Sequence, residues 1–318
     1  MAFRQISVPS IGRTLSNIMA DPSSAVQNAQ TNAFDRYHEL GGNCFHLHDE
    51  GGEGHTLQAV GEWLRERQAR ADFFLCTQIC HAGWDSIEQR AIDRFHPCAL
   101  AEDIGLDLEL LAAKYLDLVY LDDNPQAPFE PVIESLAREI RRGRIRGYGF
   151  RNWTAERIRS AHAHMAREGL PGPAALVTTE LALAAATAPL WPEYIPFDCS
   201  LRETVGALGL AVFAHASDIN TGQCLWGDGD ATSRFRQQWV ERWANPANEK
   251  LVTRVRGFAT SRAVTPRVVN ITWLLSQPFS CVAIVPLSSF AAAHGPDYER
   301  ASTLAIQEAD LAWLAESG

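Results

Sequence analysis

Residues 43–54 read NCFHLHDEGGEG, and within them His46 and His48 stand one residue apart, followed at once by Asp49 and Glu50. On a β-strand alternate side chains share a face, so the two imidazoles would project together. Two chemistries follow. Imidazole gives or takes a proton near neutral pH with little tuning, which suits general acid/base work. Two imidazoles on one face can also begin a first-row metal set, which Asp122 and His215 would complete as His46, His48, Asp122 and His215. The elements that carry these residues decide between the two; Glu50 and Glu53 read as solvated loop acids.

Eight short apolar runs could supply those elements: TLSNIMA (14–20), NCFHLH (43–48), FFLCTQI (73–79), LDLVYLD (116–122), RIRGYGF (144–150), AALVTTELA (174–182), LAVFAHA (210–216) and SCVAIVPL (280–287). Amphipathic stretches lie between them. One spans 25–42 and stops at Gly41 and Gly42; another spans 129–144, where Phe129, Val132, Ile133, Leu136 and Ile140 recur at helical spacing. Eight such units in 318 residues predict an α/β fold, a (β/α)8 TIM barrel forming a single domain over 1–318. No glycine fingerprint of an open dinucleotide-binding sheet follows any strand. The longest insertion, 218–259 after the seventh strand, holds Trp226, Trp239 and Trp243, which could cover an apolar substrate or pack on the barrel.

Composition excludes several partners. A net charge of -10 without a basic, aromatic-interleaved run opposes nucleic-acid binding. No apolar run reaches membrane-spanning length, and the N-terminus lacks a signal-peptide core. The seven cysteines, at 44, 76, 80, 98, 199, 224 and 281, form no C-x-x-C pair and read as reduced thiols. These features predict a cytoplasmic protein.

Four motifs in order resemble the aldo/keto reductase family. GGNCFHLHDEGGEG is similar to G-x-N-x-F-D-T-A-x-x-Y-G, and KYLDLVYLDDNP to D-Y-x-D-L-x-L-L-H-x-P. PVIESLAREIRRGRIRGYGFRNWTAERI resembles the family's helix and G-K-I-R-x-x-G-V-S-N-F, and ITWLLSQPFSCVAIVP its A-W-L-L-x-x-P and following strand. The resemblance spans about 14–315 and implies a barrel with the site at the C-terminal strand ends. It also implies hydride transfer from NADPH to a carbonyl by a Tyr acid tuned by Lys and Asp, with a His orienting substrate. In this chain the family's Asp falls on His46, its Tyr on Gly51, its Lys on Gln78 and its His on Asp122. Glycine cannot donate a proton, and glutamine has no charge with which to tune one. The cofactor positions differ too. S-N-F reads Arg151, Asn152, Trp153, leaving Asn152 as the retained amide, while a Gln becomes Thr178. The nicotinamide-stacking aromatic becomes His215, and VPLSSFAAAHG brings no cationic side chain.

The expectation is therefore non-redox acid/base chemistry, an elimination, dehydration or isomerisation beside a carbonyl, with no cofactor favoured. His46 and Asp122 would exchange protons with the small-molecule substrate that the resemblance implies, Arg151 would stabilise an enolate-like charge, and Gln78, His48, His215 and Trp226 would contact that substrate. Two alternatives are an NADPH-dependent reductase with an unusual site and a catalytically inactive ligand-binding barrel. Asp117 and Glu180 read as structural, and His162 and His164 as helix-surface residues.

Overall fold

Apolar runs separated by amphipathic stretches fold as parallel strands with helical crossovers, because each strand then buries one face inside the sheet and the other under a helix. The computed structural model describes residues 3–9, 12–27, 30, 32–48, 54–85, 90–189, 191, 194–222, 225, 241–291 and 295–315. Asp49, Glu50, Gly51 and Glu53 fall outside these residues, as do Cys224, Trp226 and Trp239.

In chain order the strands are β1 (Gln5–Val8), β2 (Arg13–Ser16), β3 (Ile18–Asp21), β4 (Cys44–Leu47), β5 (Phe74–Ile79), β6 (Gly83–Asp85), β7 (Arg90–Ile92), β8 (Leu118–Asp122), β9 (Tyr148–Arg151), β10 (Ala175–Thr178), β11 (Ala211–His215) and β12 (Cys281–Pro286). Eight of them, β3, β4, β5, β8, β9, β10, β11 and β12, close a parallel barrel through the β12–β3 pairing. All eight expected strands are present, with one boundary that matters. The run 14–20 divides between β2, which pairs antiparallel with β1, and β3, which ends at Asp21. Val8 of β1 and Leu15 of β2 join the barrel's interior cluster.

The expected helix over 129–144 is Glu130–Arg141, burying Val132, Ile133, Leu136 and Ala137. The expected helix over 25–42 is found as two pieces, Ser23–Gln27 and Asn32–Glu39. Ala155–Glu168 begins on Thr154, whose side chain accepts from the Arg157 amide, and ends on Gly169 at φ 62°. His162 on that helix is exposed, but His164 is buried, its Nδ1 2.9 Å from Arg167 Nη2. In the described part of the 218–259 stretch, Asn220, Glu241 and Arg242 line a cavity at the barrel mouth. Trp243 is buried beside the helix Pro246–Ser261, whose Leu251, Val255 and Phe258 pack with Val269 on the outside of the barrel. Among the described residues, no helix is long and apolar enough to cross a membrane.

The barrel interior is layered. Met19, Cys44, Phe74, Cys76, Leu118, Tyr120, Ala175, Val177, Ala211, Phe213, Val282 and Ile284 fill it, at alternate positions of their strands. Gly149 on β9 sits where an added Cβ would lie 2.6 Å from the Ala175 carbonyl oxygen, so the close β9–β10 approach requires glycine.

Near the opposite end, Asp117 is fully buried just before β8. It accepts from Arg70 Nη2 at 2.9 Å, from the Leu75 amide at 3.1 Å and from Arg146 Nη1 at 3.4 Å. Its structural role is as expected from the sequence. The arginines keep partial access to water, so removing the carboxylate mainly strands the Leu75 amide. Asp117→Ala should lower stability by about 1–3 kcal/mol, read from the urea midpoint at unchanged slope.

Candidate functional site

Alternation carries the apolar interior two residues further along each strand into a polar ring. From Met19, Cys44, Cys76, Tyr120, Gly149 and Phe213 the next inward positions are Asp21, His46, Gln78, Asp122, Arg151 and His215. Five of these were expected from the sequence. Asp21 was missed because the first strand was ended one residue early; counting two from Met19 would have found it.

The ring divides into two halves. In one, the Ala20–Phe45 register sets Asp21 beside His46. His46 stacks on Tyr120 with ring centroids 5.1 Å apart, meets His215 edge-on at 4.8 Å and lies 5.4 Å from His48. It is 1% exposed, and neither ring nitrogen has a hydrogen-bond partner. Nε2 of His215 likewise has none. His48 Nδ1 lies 3.6 Å from Asp21 Oδ2, while Asp21 Oδ1 accepts from the Ser23 amide at 3.0 Å and its hydroxyl at 2.7 Å. Burial, helped by His215, His48 and Arg151, pushes the His46 pKa well below the usual imidazole range. Burial with Arg151 and His48 does the same to His215. Both rings are neutral at pH 7.

In the other half, Asp122 is the centre. Its Oδ2 accepts from Gln78 Nε2 at 2.6 Å and lies 2.8 Å from His81 Nδ1. Arg151 Nη1 reaches both oxygens at 3.3 and 3.4 Å, and its Nη2 donates to the Tyr194 hydroxyl at 2.8 Å. Burial disfavours the Arg151 charge, but Asp122, Tyr120 and Tyr194 outweigh it and hold the guanidinium pKa above normal. His81 was not expected; it follows β5 by two residues, beyond the run that was read as strand. Asp122 is thus partnered by Gln78, His81 and Arg151, while the group whose ligand atoms lie within 4.8 Å of one another is Asp21, His46 and His48.

A cavity of about 660 Å³ opens over the first half, lined by Asp21, His46, His48, Gln78, Arg151 and His215 among others. A second, of about 900 Å³, is lined by His81, Asp122 and Asn152, and shares Trp191 and Tyr194 with the first. Arg242 faces the first cavity: its Nη2 donates to Glu180 at 2.7 Å, and its Nε and Nη1 have no partner. Glu180 is thus held in an ion pair, and Arg242 is a binding candidate that no sequence motif marked.

Several known proteins are similar to this chain. The profile of the aldo/keto reductase family matches residues 22–178. An aldo-keto reductase of Strobilurus tenacellus is 24% identical over 237 residues, which are 70% of this chain and 62% of that protein's length. A Schizosaccharomyces pombe aldo-keto reductase whose name carries NADP(+) is 22% identical over 85% of this chain and 77% of its own. A probable voltage-gated potassium channel subunit beta of Oryza sativa subsp. japonica is 26% identical over 76% of this chain and 72% of its own. In fold, the structure of a glycerol dehydrogenase from Gluconobacter oxydans matches with a TM-score of 0.75 at 17% identity, covering 99% of this chain and 94% of that one.

The Asp122–Arg151 pair is buried on both sides, so cutting one partner leaves a stranded charge. Asp122→Leu should cost about 3–5 kcal/mol, and adding Arg151→Met should restore most of it, a coupling read from urea denaturation of the double-mutant cycle.

Proposed function

We propose that this chain, which belongs to the aldo/keto reductase family, is an enzyme that moves a proton rather than a hydride on a small hydroxy-carbonyl molecule bound at the barrel mouth. The observation that carries this reading is the Asp122–His81 pair at 2.8 Å, standing where the family's resemblance predicts a substrate-orienting histidine. A carboxylate on Nδ1 fixes the tautomer that leaves the Nε2 lone pair as a base, and stabilises the imidazolium once a proton arrives.

In this reading His81 takes a proton from the carbon beside the substrate carbonyl. The developing enolate oxygen meets Arg151, whose charge Asp122 keeps in place. In an isomerisation the proton returns to the former carbonyl carbon while the hydroxyl proton passes to the former carbonyl oxygen; in a dehydration it leaves with an expelled β-hydroxyl as water. Arg242, which lines the first cavity and whose Nε and Nη1 have no partner, suits a carboxylate or phosphate on the same molecule. Gln78, bonded to Asp122, takes no charge and orients the carboxylate.

A second reading, NADPH-dependent reduction, is favoured by the NADP(+) in the name of the Schizosaccharomyces pombe relative. The residues at the family's cofactor positions fit that group poorly. Arg151 is committed to Asp122 and Tyr194, and Trp153 is buried, stacked on Phe150 and donating to the Leu121 carbonyl. His215 replaces the stacking aromatic, and Ser288–Ala291 carries no cation. Asn152, at φ 58°, lines the second cavity. No step is therefore routed through NADPH.

Two measurements separate the readings. A ligand that binds only the native state raises its melting temperature, and millimolar NADPH is expected to produce no shift; a clear shift supports the reductase. On a substrate found by screening hydroxy-acids and sugar phosphates, His81→Ala should cut kcat about 10²–10⁴-fold. Unchanged turnover would sink the assignment of His81.

A further inference from the structure

The neutral half of the ring presents a different puzzle. A buried polar ring normally finds at least one hydrogen-bond partner, and leaving both nitrogens unmet costs stability without return. His46 meets neither need, and His215 leaves Nε2 unmet beside it. The adjacent carboxylate is prepared rather than idle, since two Ser23 donors occupy Asp21 Oδ1 and so turn Oδ2 toward His48. One ligand atom each from Asp21, His46 and His48 lie within 4.8 Å of one another. Donors about 2.0–2.2 Å from a shared centre stand about 3.4 Å apart, a gap that small side-chain rotations close.

We infer that Asp21, His46 and His48 bind a divalent first-row cation, zinc being the probe of choice, with an open coordination position facing the cavity that His215 borders. Two imidazoles and one carboxylate are the donor set of a catalytic rather than a structural site, because three protein ligands leave room for water or a substrate oxygen. The Ser23 bonds to Asp21 are the outer support that such ligands require. The strand pleat explains the set: His46 and His48 share the inward face of β4 and its extension, and Asp21 is the inward residue of the adjoining β3. The inference goes beyond the proton-transfer reading and does not rest on it, since it uses none of His81, Asp122 or Arg242.

The test uses the full chain freed of any affinity tag, stripped with chelator and then dialysed against Zn²⁺ or Co²⁺. Elemental analysis after desalting should give about one equivalent of zinc per chain, and Co²⁺ should produce visible absorption of a nitrogen- and oxygen-ligated ion. Asp21→Asn and His48→Gln, which keep side-chain shape, should each weaken binding more than about tenfold, whereas Asp122→Asn should leave it intact. Zinc below a tenth of an equivalent in the wild-type chain, or binding that survives both ligand substitutions, would overturn the site. Because the readout is metal and not turnover, it can fail while the His81 assignment stands, and the reverse.

Discussion

The interior of a closed eight-stranded barrel must be filled, and in this chain apolar side chains at alternate positions fill it until the last inward residue of each strand. Those last positions are the ones that face the mouth, so their polarity is free to serve chemistry. Asp21, His46, Gln78, Asp122, Arg151 and His215 occupy six of the eight, on β3, β4, β5, β8, β9 and β11. Their relative placement follows from the parallel registers alone, with Asp122 opposite Arg151 and Asp21 beside His46. Tyr120, one layer down, floors the ring by stacking on His46.

Within that ring charge is segregated. Asp122 draws together Gln78, His81 and Arg151, whereas burial first, with Arg151 and the neighbouring imidazoles adding to it, lowers the pKa of His46 and His215. One half is thus a hydrogen-bonded acid/base array and the other a set of neutral donors around Asp21. This is a different division of labour from a proton-donating tyrosine tuned by lysine, for which the aligned positions hold Gly51 and Gln78.

The barrel was legible because eight period-2 runs with amphipathic spacers leave little else to form. His46, Gln78, Asp122, Arg151 and His215 were legible because strand-end residues are inward by alternation. What escaped had physical causes. Asp21 is a charged residue before Pro22, and ending the strand at the last apolar residue removed it. His81 lies past the strand and Arg242 comes from a distant segment, so only tertiary placement brings them to Asp122 and Glu180. Trp226 lies in a segment outside the described residues, so its expected substrate contact is not addressed by the geometry.

The account turns on whether the barrel mouth exchanges protons at carbon instead of delivering hydride. Incubation with a panel of small hydroxy-carbonyl acids and phosphates in D2O, with NADPH present and monitored at the same time, addresses this in one experiment. Deuterium entering the carbon beside the carbonyl, seen by NMR, with no loss of reduced nicotinamide, is the predicted result. Carbonyl consumption matched one-for-one by NADPH oxidation, with no deuterium at that carbon, would contradict it.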